Sequence, residues 1–531
     1  MRCWFRLLCV FTLLVFPLAG CSDSAGGGGA GGTGGVGGAG GTGGISGAGG
    51  TGGVSGAGGT GGVVASGWAL SAGGASRDRG AGLATFQDGT FVLAGTFEET
   101  MTFGAGEVNE TELASAGLQD LFFARYDADG VLAWAKRAGG VETEQGSTIA
   151  SFADGSFVAS GHFQGTATFG PGEANETELA ATPEIVPENV PTDIFIARYN
   201  SDGTLAWATS AGGPEWDTSR GIAALSDGSS VVTGQFRNTA TFGAGEVNET
   251  QLTNDGLGDI YVARYDKDGL LIWAKRAGGE SSDIGNDIES FADDSIVVAG
   301  RFEGTATFDA GEVGETQLTS LGATDIVVAR YNPDGSLAWA KRAGGFHIDD
   351  SWGVATFDDG ASVVTGSFLG TAIFGEGEAN ETELGDLDIF VARYDSDGSL
   401  AWAKRAGGAM RDVGRDIASM ADGSCVVTGR FGGGATFGPG ELGETTLLSG
   451  GALDAVIAQY APSGELQWAT HASGPGNVLG EAVASLPDGS ILLAGFFVDT
   501  ATFFEGTPDE IDLTSNGDYD VFVARYELNG M

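Results

Sequence analysis

DIFVARYDSDGSLAWAKRAGG, residues 388–408, decides the fold of this chain. An apolar run from Ile389 to Tyr394 stops at Asp395-Ser396-Asp397-Gly398, and a second run from Leu400 ends at Gly407-Gly408. Aromatic and β-branched residues suit a pleated strand, and Asp-Gly supplies the positive φ of a tight turn, so the stretch reads as a β-hairpin. Nearly the same words occur seven times. Trp-Ala recurs at Trp68, Trp134, Trp207, Trp273, Trp339, Trp402 and Trp468, in steps of 66, 73, 66, 66, 63 and 66. A fixed period of this size marks a repeat architecture and outranks any local reading.

The third repeat shows what one unit builds. Gly221–Leu225 and Ser230–Phe236 flank the turn Asp227-Gly228, and Asp259–Tyr265 leads through Asp266-Lys267-Asp268-Gly269 into Leu270–Lys275. These runs are apolar on both faces, as expected of sheets sandwiched between neighbours. Four antiparallel strands repeated seven times predict an all-β, seven-bladed β-propeller over residues 67–531, with repeats starting near 68, 134, 207, 273, 339, 402 and 468. Trp68–Ser71 reads as the last strand of a repeat and Asp520–Tyr526 as the third, so their pairing is expected to complete one blade and leave no free sheet edge.

The repeated pattern D-[IF]-F-V-A-R-Y-D-x-D-G-x-L-x-W-A-K-x-A-G-G resembles the bacterial β-propeller repeat family called SBBP, across all seven repeats. Repeat six departs at Gln459 and at Ala461-Pro462-Ser463-Gly464, and repeat seven at Ser473 and Glu527-Leu528-Asn529-Gly530. The resemblance implies a propeller and an exported setting, and no defined activity.

Residues 1–20 read as a secretion signal, with Arg2 and Arg6 before an apolar stretch from Leu7 to Pro17. Leu18-Ala19-Gly20-Cys21 is similar to the lipobox of bacterial lipoproteins, which implies that Cys21 carries the lipid. Ser22, not Asp, follows it, and the expected location is the outer membrane or cell surface. Residues 21–66 are a Gly-rich low-complexity tether that cannot form a core. As a flexible coil its 46 residues would span roughly 35–40 Å. Of the four cysteines only Cys425 falls in the repeats, so no internal disulfide forms there, and its strand position suits a small packed side chain.

In such a blade the short Asp-Gly turns lie on one side of the disc. The roughly 20-residue segments between the second and third strands, and the Ala-Gly-Gly links between blades, lie on the other. Long connections on a rigid scaffold commonly carry binding, so that second side is the candidate face. It reads as acidic. Six repeats carry G-E-x-[NG]-E-T, from Glu107 and Glu110 to Glu441 and Glu444. An acid also follows each Gly-Gly by four residues, at Asp78, Glu144, Asp217, Asp283, Asp349 and Asp412, while the seventh repeat has Val478. These six are expected to ring the channel mouth, where clustered carboxylates would suit calcium, the one candidate cofactor. Residues that break sevenfold sameness are the better candidates for a ligand: Trp216, Phe346, His347 and Trp352, all expected in the links. Repeat two is also longer by seven and holds Pro183, Pro187 and Pro191.

The formal net charge of −46, from 71 acidic and 25 basic residues, excludes a nucleic-acid footprint and favours cationic or calcium-bridged partners. The three histidines, His162, His347 and His471, fall at unrelated repeat positions, so no metal triad or Ser-His-Asp set is readable. Asp127-Ala128-Asp129-Gly130 places Trp134 one residue too far for the Asp box of sialidase propellers. The sequence therefore reads as a non-catalytic, membrane-tethered surface module binding glycan or protein, with a structural envelope part lacking a ligand as the alternative.

Overall fold

Aromatic and β-branched runs closed by Asp-Gly turns form strands throughout the computed structural model, which describes residues 64–182 and 191–528; among them every regular element is a strand. The third blade runs outward as Thr218–Ala224, Ser230–Phe236, Asp259–Tyr265 and Leu271–Gly279, all antiparallel. Its first strand starts three residues before the expected Gly221. The polar Thr218 and Ser219 also enter the ladder, and Arg220 bulges out of it. Seven four-stranded units of this kind recur, and their innermost strands touch in a closed ring, Val478–Ser485 meeting Asp78–Thr85.

The seventh blade is made from both ends of the described chain. Val64–Ala72 pairs with Asp520–Leu528, Trp68 opposite Arg525 and Ser71 opposite Phe522. The seam thus has no exposed edge.

Each apolar cluster lies between two blades. Phe152, Val158 and Ile196 of the second blade, for example, pack on Ile222, Val232 and Tyr261 of the third. The repeat signature is the clamp between such neighbours. The Arg264 guanidinium bonds Asp227 (2.8 Å) and Ser229 Oγ (3.0 Å) of its own blade, then the Pro333 carbonyl (2.8 Å) of the next. Trp273 Nε1 donates to the same carbonyl, and its ring covers Gly335, whose φ of +84° and lack of Cβ leave room for it. At the seam Arg525 Nη1 donates to the Ala128 carbonyl at 2.6 Å, and Trp68 lies on Gly130.

The 20-residue segments are not open loops. Each is a second hairpin, such as Thr239–Phe242 with Thr250–Thr253, fastened to the Ala-Gly-Gly end of the preceding blade by bridges such as Gly212 to Thr241. In the fourth blade it is continuous with the main strands, Ile296–Phe308 and Thr316–Tyr331.

Candidate functional site

The hairpins move the G-E-x-[NG]-E-T acids away from the link face. Glu107 Oε2 accepts from Leu132 N (2.8 Å), just past the turn that opens the outer strand, so the tip lies at the rim on the Asp-Gly side. Glu246, Glu378 and Glu441 do the same for Leu271, Leu400 and Leu466. The second glutamate caps its own turn: Glu249 accepts from Gly245 N and Glu444 from Gly440 N, both at 2.6 Å. Lys136 reaches Glu173 (2.8 Å) and Lys404 reaches Glu441 (2.6 Å), tying one blade to the next hairpin. The expected acidic link face is therefore not made by these residues, because their oxygens hold the hairpin in place.

The six link acids do not ring an open mouth either. Asp78, Glu144, Asp217, Asp283, Asp349 and Asp412 all have no exposed surface. Their role is to hold the link. Asp349 accepts from Gly345 N (2.7 Å) and from Leu369 N (3.1 Å), where the next hairpin begins, and Asp412 accepts from Gly408 N and Gly432 N. The sequence reading missed their neighbours, the aspartates that open every third strand: Asp120, Asp193, Asp259, Asp325, Asp388, Asp454 and Asp520, all buried, each with Oδ1 lacking a hydrogen-bond partner. Their sevenfold recurrence at the head of D-[IF]-F-V-A-R-Y was the available signal.

Link acid and strand aspartate meet across the first glycine of Gly-Gly. A Cβ on Gly278 would lie 2.7 Å from Asp259 Cγ and 2.8 Å from Asp283 Oδ2. Burial, with the neighbouring carboxylate adding to it, pushes Asp78 and Glu144 up to about 8 and Asp349 and Asp412 to about 6. Among the described residues no group of three or more His, Cys, Asp or Glu side chains is arranged to hold a metal ion.

The four candidate ligand residues separate. Trp216 is 47% exposed on the link into the third blade, with the Arg237 guanidinium 5.6 Å from its ring centroid. Phe346 is 75% exposed on the link into the fifth blade, edge-on to exposed His347 at 5.5 Å. Two whole blades, the third and the fourth, stand between these two links. Trp352 is not in a link. It occupies the innermost strand Asp350–Thr356, where its ring lies under Arg415 at 4.6 Å, because that strand begins three residues earlier than the link reading assumed. Other link tips add exposed Val141, Ile348 and Met410.

Cys21 and the proline segment between 183 and 190 lie outside the described residues. Cys425 is buried, and burial pushes its thiol up to about 12, an inert packed side chain. His162 and His471 sit in strands of different blades.

A family described as a domain of unknown function (DUF5122) beta-propeller matches residues 313–337. An uncharacterized WD repeat-containing protein of Acanthamoeba polyphaga mimivirus is 20% identical over 86% of this chain and 38% of its own length. The regulatory protein FlaEY of Caulobacter vibrioides is 25% identical over 53% of this chain and 29% of its own. The chain thus spans well under half of either relative. Among solved structures it is similar to the Pan2 WD40 domain of Neurospora crassa, with a TM-score of 0.40, 10% identity and coverage of 85% and 90% of the two chains. A mutant NanB sialidase of Streptococcus pneumoniae gives 0.33, 10% identity and coverage of 86% and 69%. The chain is a β-propeller repeat domain.

Proposed function

We propose that this propeller is a non-catalytic binding module, lipid-anchored through Cys21 at the outer membrane or cell surface, that recognises a glycan or a protein through its link face. The observation that supports this reading is the exposure of Phe346 and Trp216 on that face. Phe346 stands where the other links carry Ala, Val, Pro or Glu, and Trp216 where they carry Arg, Thr, Ser, Ile or Asn, so neither aromatic has a packing role that the repeat requires. Aromatic faces are suited to sugar rings and to apolar side chains of a partner protein. The carboxylates first expected to define this face are engaged in holding links and hairpins, so the contact is aromatic in character, not acidic.

The test is saturable binding of the folded protein to envelope polysaccharides and purified envelope proteins, compared with Trp216→Ala and Phe346→Ala. The reading expects loss of binding with an unchanged melting temperature. Absence of any saturable ligand would favour a structural envelope part instead. The anchor is tested separately, by palmitate labelling of the full chain and of Cys21→Ser.

A further inference from the structure

The innermost strands share an irregularity at one level. In six blades a single residue is left out of the ladder with the second strand: Ala81, Arg220, Asn286, Trp352, Arg415 and Glu481. The repeats are nearly identical elsewhere, yet no two of these are alike except the two arginines. Their contacts run across the ring. Arg415 lies over the Trp352 ring in the preceding blade and pairs with Glu481 (2.6 Å) in the following one. Arg220, in the third blade, has Arg301, Asp350 and Arg415 of the fourth, fifth and sixth blades as electrostatic neighbours. An exposed side chain bulged from an innermost strand and within electrostatic range of three other blades projects into the central channel.

The charge there runs against the rest of the molecule. Within a chain of net charge −46, four guanidinia gather at this level: Arg220, Arg301, Arg415 and Arg430. Two carboxylates answer them. Asp350 pairs with Arg301 (3.0 Å), and Glu481 pairs with Arg415 and, at 3.7 Å, with Arg430. Arg220 has no hydrogen bond or ion pair among the described residues. It is open to solvent, yet the surrounding protein and the two nearby arginines pull its pKa down to about 10. Both hold at once for a cation inside an open, protein-walled channel.

The next acids along the wall do not neutralise it. Asp287 turns to the neighbouring strand and accepts from Val354 N (2.8 Å), Asp416 accepts from Val483 N (2.7 Å), and Glu289 accepts from Ser290 N (2.8 Å). Two more polar groups close by are unfilled. Trp352 Nε1 is buried without an acceptor, and His162 Nδ1, whose ring has Arg220 as its charged neighbour, is buried without a partner.

We propose that this level of the channel is a binding site for a small organic carboxylate, paired with the Arg220 guanidinium. A planar guanidinium presents two parallel N–H groups that match a carboxylate, and leaving it unpaired in a protein-walled space wastes an interaction stronger than a neutral hydrogen bond. Asp350 and Glu481 beside it, and Asp287, Glu289 and Asp416 farther along, oppose a doubly charged anion such as sulfate or phosphate and admit a monoanion. Trp352 supplies an apolar wall for the ligand's carbon frame. This site lies apart from Trp216 and Phe346 and does not depend on the link-face reading.

The test is calorimetric titration of the full chain at low ionic strength with D-glucuronate, acetate and lactate. Glucose is the uncharged control and sulfate the dianion. One saturable site is expected for a carboxylate probe, none for glucose, and much weaker binding for sulfate. Arg220→Gln should weaken the carboxylate by about tenfold or more while melting at or above the parent temperature, since it removes an unpaired cation. Arg220→Lys, which keeps the charge and loses the fork, should fall between them, and Trp216→Ala should bind as the parent does. The proposal is overturned if none of the three carboxylates binds, if Arg220→Gln binds unchanged, if sulfate binds as tightly, or if Arg220→Gln melts lower without any loss of ligand.

Discussion

Gly278→Ala probes the junction on which every blade depends. The added methyl would stand 2.7 Å from Asp259 Cγ, 2.8 Å from Asp283 Oδ2 and 2.9 Å from Asp259 Oδ1, all short of van der Waals contact. Neither carboxylate can swing aside cheaply. Asp259 is held by Arg276 (2.8 Å), and Asp283 by Gly279 N (2.8 Å) and Glu303 N (3.1 Å). Overpacking of this kind costs about 1–3 kcal/mol, and loosening one charge-assisted hydrogen bond adds about 1.5–3. A loss of about 2.5–6 kcal/mol is expected. For the roughly 457 described residues the unfolding entropy is about 1 kcal/mol per degree, which gives a melting temperature lower by about 2.5–6 °C. Gly311→Ala is the control: its φ is +78°, but no atom lies within 4 Å of the new methyl, so only the backbone conformation is strained, at about 1 kcal/mol. Both variants are compared with the parent by calorimetry. Equal shifts for the two would refute the idea that paired carboxylates demand the glycine.

The buried junction acids have raised pKa values, about 6 for Asp283, Asp349, Asp388 and Asp412 and about 8 for Asp78 and Glu144. The folded state holds their protons more tightly than the unfolded chain, so the stability they give is complete below about pH 4 and is lost as pH rises through 6 to 8. The turn acids Asp88, Asp154 and Asp293, held low by hydrogen bonds from Thr90, Ser156 and Ser295, act oppositely and lose their contribution as pH falls below about 4. The melting temperature should therefore peak between about pH 4 and 6, and a steady rise from pH 5 to 8 would contradict the junction reading. Millimolar calcium should leave the melting temperature unchanged, since the link acids already accept backbone N–H groups; a calcium-dependent rise of several degrees would restore them as ligands. Arg393→Gln should destabilise by about 1–3 kcal/mol in denaturant titrations, because Gln cannot span Asp359 (2.7 Å), the Gly423 carbonyl (3.2 Å) and the Phe357 ring. Gln459 shows the shorter reach, bonding only Ser424 and Trp468.

The candidate site was legible in part. Exposed Trp216 and Phe346 announced themselves by breaking the repeat, since no other link has an aromatic at either position, and seeing that needs no knowledge of the fold. Trp352 looked the same in sequence and proved to belong to the channel. The difference rests on where an inner strand begins, and the polar residues Asp350 and Ser351 at that start carry no hydrophobic pattern. The G-E-x-[NG]-E-T acids were misplaced for a related reason. Composition showed a connection of some 20 residues, and only pairing partners such as Gly212 and Thr241 reveal that it folds back along the rim.

By itself the sequence determined the four main strands of each blade, the Asp-Gly turns, the sevenfold period and the pairing of the two ends, because these follow from local backbone preference and from a repeat that cannot bury its faces alone. Tertiary structure decided which carboxylates meet. Asp259 and Asp283 are 24 positions apart, and Arg220, Arg301, Asp350 and Arg415 belong to four different blades. Local propensity has no means of expressing such distances. Closure of the ring brings those side chains into one channel, and with it leaves the Arg220 guanidinium without a hydrogen-bond or ion-pair partner among the described residues.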